Sequence, residues 1–294
     1  MNKRYTMQFA LAGVILSTLS CGDPLKDPQT IEDARVLGVR IATQDDHASL
    51  EPGEAALISL LVAGTEGTLG GRVAYTLCEA ADSARGVPYC SGLVISEGTT
   101  DLDGTSLSVD VPDSVADGSR LALLGVVCFD SEPSLVEDPL DWGCAGSEEG
   151  LKLSFDAWTT RSGLLNRNPD LSEVSVQIAG EKIPLDELSD EASCANDAPS
   201  VSADKAHDVV IYIGEGAREP GDVALDQSGE SLQISHFSTS GLFERQYSFV
   251  EPEQDPETIL EFEAPPAGEA VKQYLVVRDR RGGVSWVSWS FCSR

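Results

Sequence analysis

VKQYLVVR-DRRGG-VSWVSWSF, residues 271 to 291, is the stretch that decides the fold. Two eight-residue runs rich in β-branched and aromatic side chains flank a five-residue turn that ends in Gly282-Gly283. Such a pattern reads as a β-hairpin. Trp286 and Trp289 stand an odd number of residues apart in the second run, so a strand sends them to opposite faces. One can fill a core. The other needs cover from a neighbouring domain, a loop or a partner, and the structural roles are the expected ones for both.

Upstream of this hairpin, short runs of the same style recur. Val174, Val176 and Ile178 alternate before a Gly180-Glu181 turn. An acidic, loop-like stretch from 186 to 204 holds Cys194. Runs at 209–213, 232–237, 243–249 and 258–262 follow. The first half repeats the pattern. Leu37, Val39 and Ile41 share a face, and Glu51-Pro52-Gly53-Glu54 turns into the nearly continuous apolar run 55–63. Further runs lie at 73–78, 93–95, 107–111, 121–129 and 151–155. Seven strands in roughly 125 residues is the count of an Ig-like sandwich, and no long amphipathic helical period interrupts either half. The expected fold is all-β, with two tandem Ig-like antiparallel β-sandwich domains. The first spans 34–158, a linker 159–170 contains the turn Asn166-Arg167-Asn168-Pro169, and the second spans 171–294.

The N-terminus supplies an address. Lys3 and Arg4 precede an apolar run from Phe9 to Leu19, and small residues lead to Cys21. That is a cleaved secretory signal peptide over 1–20, too short to span a bilayer as a helix. A cysteine directly after the cleavage point is what lipoprotein processing requires, which makes Cys21 the expected lipid attachment site. Thr18-Leu19-Ser20 departs from the usual leucine at the third position before the cysteine and also suits ordinary secretion. Parity favours the lipid: of seven cysteines, removing Cys21 leaves six that can pair. Two or three acyl chains on one residue anchor stably where a single chain is marginal. Residues 21–33, polar and proline-bearing, read as a tether.

Six remaining cysteines in an exported chain imply disulfides. Cys78 and Cys90 flank one turn-rich insert, Cys128 and Cys144 another, and Cys194 and Cys292 are left for the second domain. Sequence alone keeps other pairings open, a Cys78–Cys128 cross-pairing among them.

Several stretches together resemble a group of myxobacterial envelope lipoproteins with tandem bacterial Ig-like domains. They are the lipoprotein cysteine, Arg35-Val36-Leu37-Gly38-Val39-Arg40, Asn166-Arg167-Asn168-Pro169, Ala217-Arg218-Glu219-Pro220, Ser238-Thr239-Ser240-Gly241 and the hairpin from Val277 to Trp286. The resemblance implies an exported, anchored tandem sandwich and brings no activity with it.

Candidates for chemistry are few. The three histidines, His47, His207 and His236, sit in no His-Glu-x-x-His motif, and no Gly-x-Ser-x-Gly elbow occurs. Asp101-Leu102-Asp103-Gly104 begins like a calcium loop, but position 12 is Pro112, and a β-turn explains the same residues. Glu251, Glu253, Asp255 and Glu257 form an acidic run between prolines, which reads as a solvated loop. A net charge of −29 repels nucleic acid and anionic lipid headgroups. The sequence therefore points to a non-enzymatic, lipid-anchored protein of the cell envelope, at the outer membrane, without metal or cofactor. Its partners are the membrane through lipidated Cys21 and an unspecified protein or glycan, with loops at the Cys78–Cys90 and Cys128–Cys144 inserts as contact surfaces. The alternatives are a subunit of a larger envelope complex and a calcium-dependent adhesion module.

Overall fold

The computed structural model describes residues 27–82, 88–102, 106–136, 141–146, 149–159, 166–186, 192–195, 198–219 and 229–294. Cys21 and the leader lie outside the described residues, as do Asp103 and Gly104 of the calcium-like loop.

The first half contains β1 (Arg35–Ala42), β2 (Ala55–Gly64), β3 (Gly67–Thr68), β4 (Arg72–Asp82), β5 (Pro88–Asp101), β6 (Leu107–Asp110), β7 (Arg120–Cys128), β8 (Pro133–Leu135), β9 (Trp142–Cys144) and β10 (Leu151–Trp158). One sheet joins β1, β2 and β6, with β3 returning on β2; the other runs β10-β7-β4-β5. In immunoglobulin letters these are A-B-E and G-F-C-C′, an Ig-like sandwich by strand order. Its core collects one face of each strand, including Ile58, Val62, Leu77, Leu107, Val109 and Leu123. In β6 the alternation is complete: Leu107 and Val109 are buried while Ser108 and Asp110 are exposed.

The second half contains β11 (Ser175–Ile178), β12 (Glu181–Ile183), β13 (Ser200–Val201), β14 (Ala206–Tyr212), β15 (Leu232–Ser238), β16 (Leu242–Phe243), β17 (Tyr247–Val250), β18 (Glu257–Glu263), β19 (Ala270–Arg278) and β20 (Val284–Ser293). Its sheets are β12-β11-β14-β18-β16 and β13-β20-β19-β15-β17. The letters are A-B-E, with β12 as an added return on A and β16 paired on E, and A′-G-F-C, with β13 parallel to β20 and β17 paired on C. The fold is thus all-β, two Ig-like sandwiches in tandem.

Three disulfides close: Cys78–Cys90, Cys128–Cys144 and Cys194–Cys292. The first crosses the β4–β5 ladder where its register shifts, and residues 83–87 of the insert it closes lie outside the described residues. The second holds the β8–β9 hairpin down on the outer face of its sheet. There Trp142 and Cys144 cover Ala74, Val126 and Cys128, and Trp142 Nε1 donates to Thr76 Oγ1 at 2.8 Å. The insert expected as a contact loop thus carries a hairpin packed on the sheet, with Leu135 and Val136 exposed. The third ties residue 194 to the last strand beside the β13–β20 pairing.

Two expectations about chain segments change. The run 243–249 is not one strand but two: β16 pairs with β18, and β17 pairs with β15 in the opposite sheet. A glycine at positive φ (Gly241, φ 77) lets the chain make the crossing, since a Cβ there would stand 2.4 Å from the Phe262 ring. The tether assigned to 21–33 is also not free along its length. Ile31 N donates to Ser238 O at 2.8 Å, Ser238 N donates to Gln29 O at 3.0 Å, and Ile31 is fully buried. Residues 29–31 lengthen the second sandwich's sheet where β17 has ended.

The two sandwiches share a third apolar cluster. Leu37, Leu61 and Ala63 of the first meet Phe237, Tyr274 and Val276 of the second, with Ile31 between them and Trp286 packed alongside. Parity explains the nearly continuous apolar runs. In β2, Ile58 and Val62 enter the first core while Leu61 and Ala63 enter the junction. In β19, Leu275 and Val277 enter the second core while Tyr274 and Val276 enter the junction. The two tryptophans divide in the same way. Trp289 is fully buried in the second core, where its Nε1 donates to Gln273 Oε1 at 2.8 Å; Trp286 lies on the junction face.

Candidate binding cleft between the two sandwiches

Polar residues stitch the rim of this junction. Asn166 Nδ2 donates to Asp279 Oδ2 at 2.7 Å, and Asp279 Oδ1 accepts from the N–H groups of Arg281 (2.7 Å) and Gly283 (2.8 Å). The fully buried Asp279 carboxylate thereby shapes the β19–β20 turn and fastens it to the segment that follows the first sandwich. Gly283 fits because a Cβ there would stand 2.7 Å from Arg167 O. Asn168 spans the sandwiches, donating to Ile41 O at 2.7 Å and accepting from Val284 N at 3.0 Å. Arg278 Nη2 donates to Leu37 O at 2.6 Å. Asn166 and Asn168 are both buried, so the end of the expected linker is a built element of the junction.

Between these stitches lies a cleft of about 900 Å³. The first sandwich contributes Arg40, Asp46, Ser59 and Leu60. Residues 167–172 form its floor, and the second sandwich contributes the 216–219 turn, Glu230, Ser285 and Trp286. Four of the stretches that carry the family resemblance therefore converge here, although as many as 246 positions separate Arg40 from Trp286 in the chain.

Most charges in the cleft are already engaged. Arg218 Nη1 donates to the carbonyls of Glu251, Pro252 and Gln254 at 2.9, 3.2 and 3.0 Å, and so holds the acidic loop in place. Arg281 bridges Glu230, at 2.5 and 2.8 Å, and Glu219. Burial pushes the Glu230 carboxyl up, against the lowering effect of the Glu219 N–H and Arg281. Burial alone would lower Arg281, but its bonds to Glu230 and Glu219 outweigh this and raise it. Asp170 is held below its ordinary range by hydrogen bonds from Ser172. Arg40 Nη2 meets Asp46 Oδ1 at 2.8 Å, while its Nε has no partner. Arg167 is exposed and its side chain makes no hydrogen bond or ion pair among the described residues. Trp286 is half-buried: one side packs against Gly38, where a Cβ would stand 3.1 Å from Cε3, and the ring also lines the cleft.

The other candidates do not assemble into a centre. His207 Nε2 lies 2.7 Å from Ser202 O at a strand start. His47 pairs with Glu51. His236 is fully buried against Phe243 with Nε2 3.0 Å from Ser248 Oγ, and burial first, then the Arg245 charge, pushes its pKa down to about 3. Asp101 pairs with Arg72 at 3.1 Å. Among the described residues no group of three His, Cys, Asp or Glu side chains could hold a metal ion, and no helix is long and apolar enough to cross a membrane.

Fold and cleft define a class: a two-domain Ig-like β-sandwich protein with a polar cleft at the junction. No family model and no curated protein matches the chain. Among solved structures, the D0-D1 domain of intimin is similar at 11 % identity, TM-score 0.22, over 88 % of this chain and 99 % of that one. An adhesin of Yersinia pseudotuberculosis, InvE, is similar at 9 % identity, TM-score 0.21, over 86 % of this chain and 58 % of that one. The E. coli alpha-2-macroglobulin is similar at 9 % identity, TM-score 0.25, over 90 % of this chain and 16 % of that one. These TM-scores are low, and the Ig-like assignment rests on the strand order above.

Proposed function

We propose that this chain is a lipid-anchored, non-catalytic protein of the cell envelope that presents its two sandwiches as one rigid body for binding. The observation that carries the reading is the junction, where an apolar cluster and the Asn166, Asn168 and Arg278 hydrogen bonds leave little freedom for one sandwich to swing on the other. Rigid display suits a binding module, because interface ordering is completed on folding rather than on association.

The anchor gives this body an orientation. Six residues from Cys21 to Asp27 reach at most about 20 Å, and Gln29 to Ile31 dock beside Ser238. Attachment at Cys21 therefore holds the Ser238 end of β15 near the bilayer. The cleft gathers at the other end of that strand, next to Glu230. Detergent-phase partition of the wild-type protein, abolished in Cys21→Ser, is the expected result. Quantitative recovery of wild-type protein in the aqueous phase refutes the anchor.

A second reading, a subunit of a larger envelope complex, is favoured by β5. This fourteen-residue strand is the open edge of its sheet and exposes Tyr89, Leu93 and Val94. Crosslinking from a photoreactive residue at Leu93 in intact cells tests it; recovery of uncrosslinked protein alone removes this reading.

A further inference from the structure

We propose that the junction cleft is a binding site for a carboxylated saccharide, a sugar of the uronic acid class, held by Arg167 and seated on Trp286.

The cleft has the right size. About 900 Å³ falls within the range of small-ligand sites and accommodates two or three sugar rings. Its electrostatics select the charge. Arg218 and Arg281 are saturated by carbonyls and carboxylates of the protein itself. That leaves Arg167, exposed and unpartnered among the described residues, since Arg40 meets Asp46 through Nη2 and its Nε is buried. Arginine presents a planar fork that matches a carboxylate through two hydrogen bonds.

The neighbouring acids then set an upper limit on ligand charge. Asp46, Asp170, Glu219 and Glu230 all line the same cleft. A phosphate monoester would bring close to two negative charges into a site with four carboxylates and, among the described residues, one unpartnered arginine, whereas a single carboxylate is matched by Arg167. Like charges brought this close disfavour the more highly charged ligand. Within a chain of net charge −29, an arginine without an ion pair offsets locally the repulsion that an acidic ligand meets from the cleft's carboxylates.

The remaining lining suits a sugar ring better than a peptide. Trp286 combines a large apolar ring, half-buried, with a polar edge. Leu60 and Leu171 extend the apolar surface, and Ser59, whose hydroxyl shares a hydrogen bond with Ser106 Oγ at 2.6 Å, and Ser285 add polar residues to the lining. A pyranose, apolar on its C–H face and hydroxylated at its rim, matches that alternation. The junction also pre-forms the site: Asn168, at the centre of the floor, is fixed from both sandwiches by Ile41 O and Val284 N, so the two walls need no rearrangement to close on a ligand.

The experiment is calorimetric titration of the full-length protein, purified in detergent, with an aldotriouronate, a trisaccharide that carries a single uronic acid carboxylate. Its fully methyl-esterified form, which keeps the rings and loses the charge, and an acidic tripeptide of equal charge serve as comparisons. The expected result is saturable one-to-one binding of the aldotriouronate, weakened by rising salt. Esterification and Arg167→Gln should each weaken it at least about tenfold. Arg167→Gln removes an exposed side chain with no intramolecular partner, so the variant should melt as the wild type does. Trp286→Phe gives a second check, because it keeps an aromatic ring against Gly38 while shrinking the platform; binding should weaken and the esterified sugar should weaken with it. Absence of saturable binding overturns the proposal, as does equal binding in Arg167→Gln. Equal or tighter binding of the tripeptide overturns its saccharide part. Detergent partition of Cys21 variants is read separately, so failure of the anchor and failure of the cleft are distinguishable.

Discussion

His236→Gln tests how closely the second core is sealed. His236 is fully buried on the core side of β15 beside Leu232 and Ile234, packed on Phe243, and its Nδ1 has no hydrogen-bond partner. Burial and the nearby Arg245 charge hold its pKa at about 3, against 6.5 for an unhindered imidazole. The folded-state pKa is depressed, so the neutral ring contributes stability that is present above pH 6.5 and is lost as pH falls toward 3. In that window the unfolded chain takes up a proton that the folded chain refuses. Each unit of pH costs about 1.4 kcal/mol, so between pH 7.5 and 4.5 the loss from this one residue is about 2.7 kcal/mol. Carboxylates titrate over the same range, but their contribution is common to wild type and variant. The assay is urea denaturation of the oxidised protein, followed by tryptophan fluorescence, at pH 7.5, 6.0 and 4.5. Wild type should lose about 2–3 kcal/mol more than His236→Gln across that range, whatever the offset at pH 7.5. Parallel pH dependence in the two proteins means that the imidazole takes up its proton in the folded state. The account of a sealed core would then be wrong.

Gly38→Val drives a branched side chain against Trp286, which already stands 3.1 Å from a built Cβ, and should destabilise the junction by about 1–3 kcal/mol, read by the same denaturation. Asp279→Ala leaves the Asn166 amide and two turn N–H groups without their acceptor; a loss of about 3 kcal/mol is expected, with Asp279→Asn retaining part of it. Replacing Cys194 and Cys292 by alanine opens a closure between residues 98 apart and, in the chain-entropy description, should cost about 4.7 kcal/mol. The Cys78–Cys90 pair, 12 apart, should cost about 2.8 kcal/mol on the same basis. Thermal melts of the two double variants check the order, and a larger effect at Cys78–Cys90 contradicts it.

The strand runs were legible where one face of a strand meets a core and the other meets water. Residues 107–110 alternate without a break, and the strand found there alternates in burial in the same way. The β19–β20 hairpin and the opposite facing of Trp286 and Trp289 followed from its turn residues and from parity alone. The flap β8–β9 was not legible, because three-residue strands carry no period and their anchoring by Trp142 on Thr76 joins positions 66 apart. Nor was the docking of residues 29–31, where a polar, proline-bearing segment is held by backbone hydrogen bonds that leave no trace in side-chain pattern.

By itself the sequence determined that this chain is built from β-strands in two rounds, since alternation and turn chemistry are local properties of a pleated backbone. Only the tertiary structure decided which face of the continuous apolar strands meets which core. When both faces of a strand are buried the period of two disappears from the sequence, and runs such as 55–63 and 271–277 no longer say where they point. The cleft belongs to the same category. Arg40, Arg167, Arg218 and Trp286 become neighbours through the packing of β1 against β20, and whether an arginine there is free or saturated depends on partners brought in from distant parts of the chain.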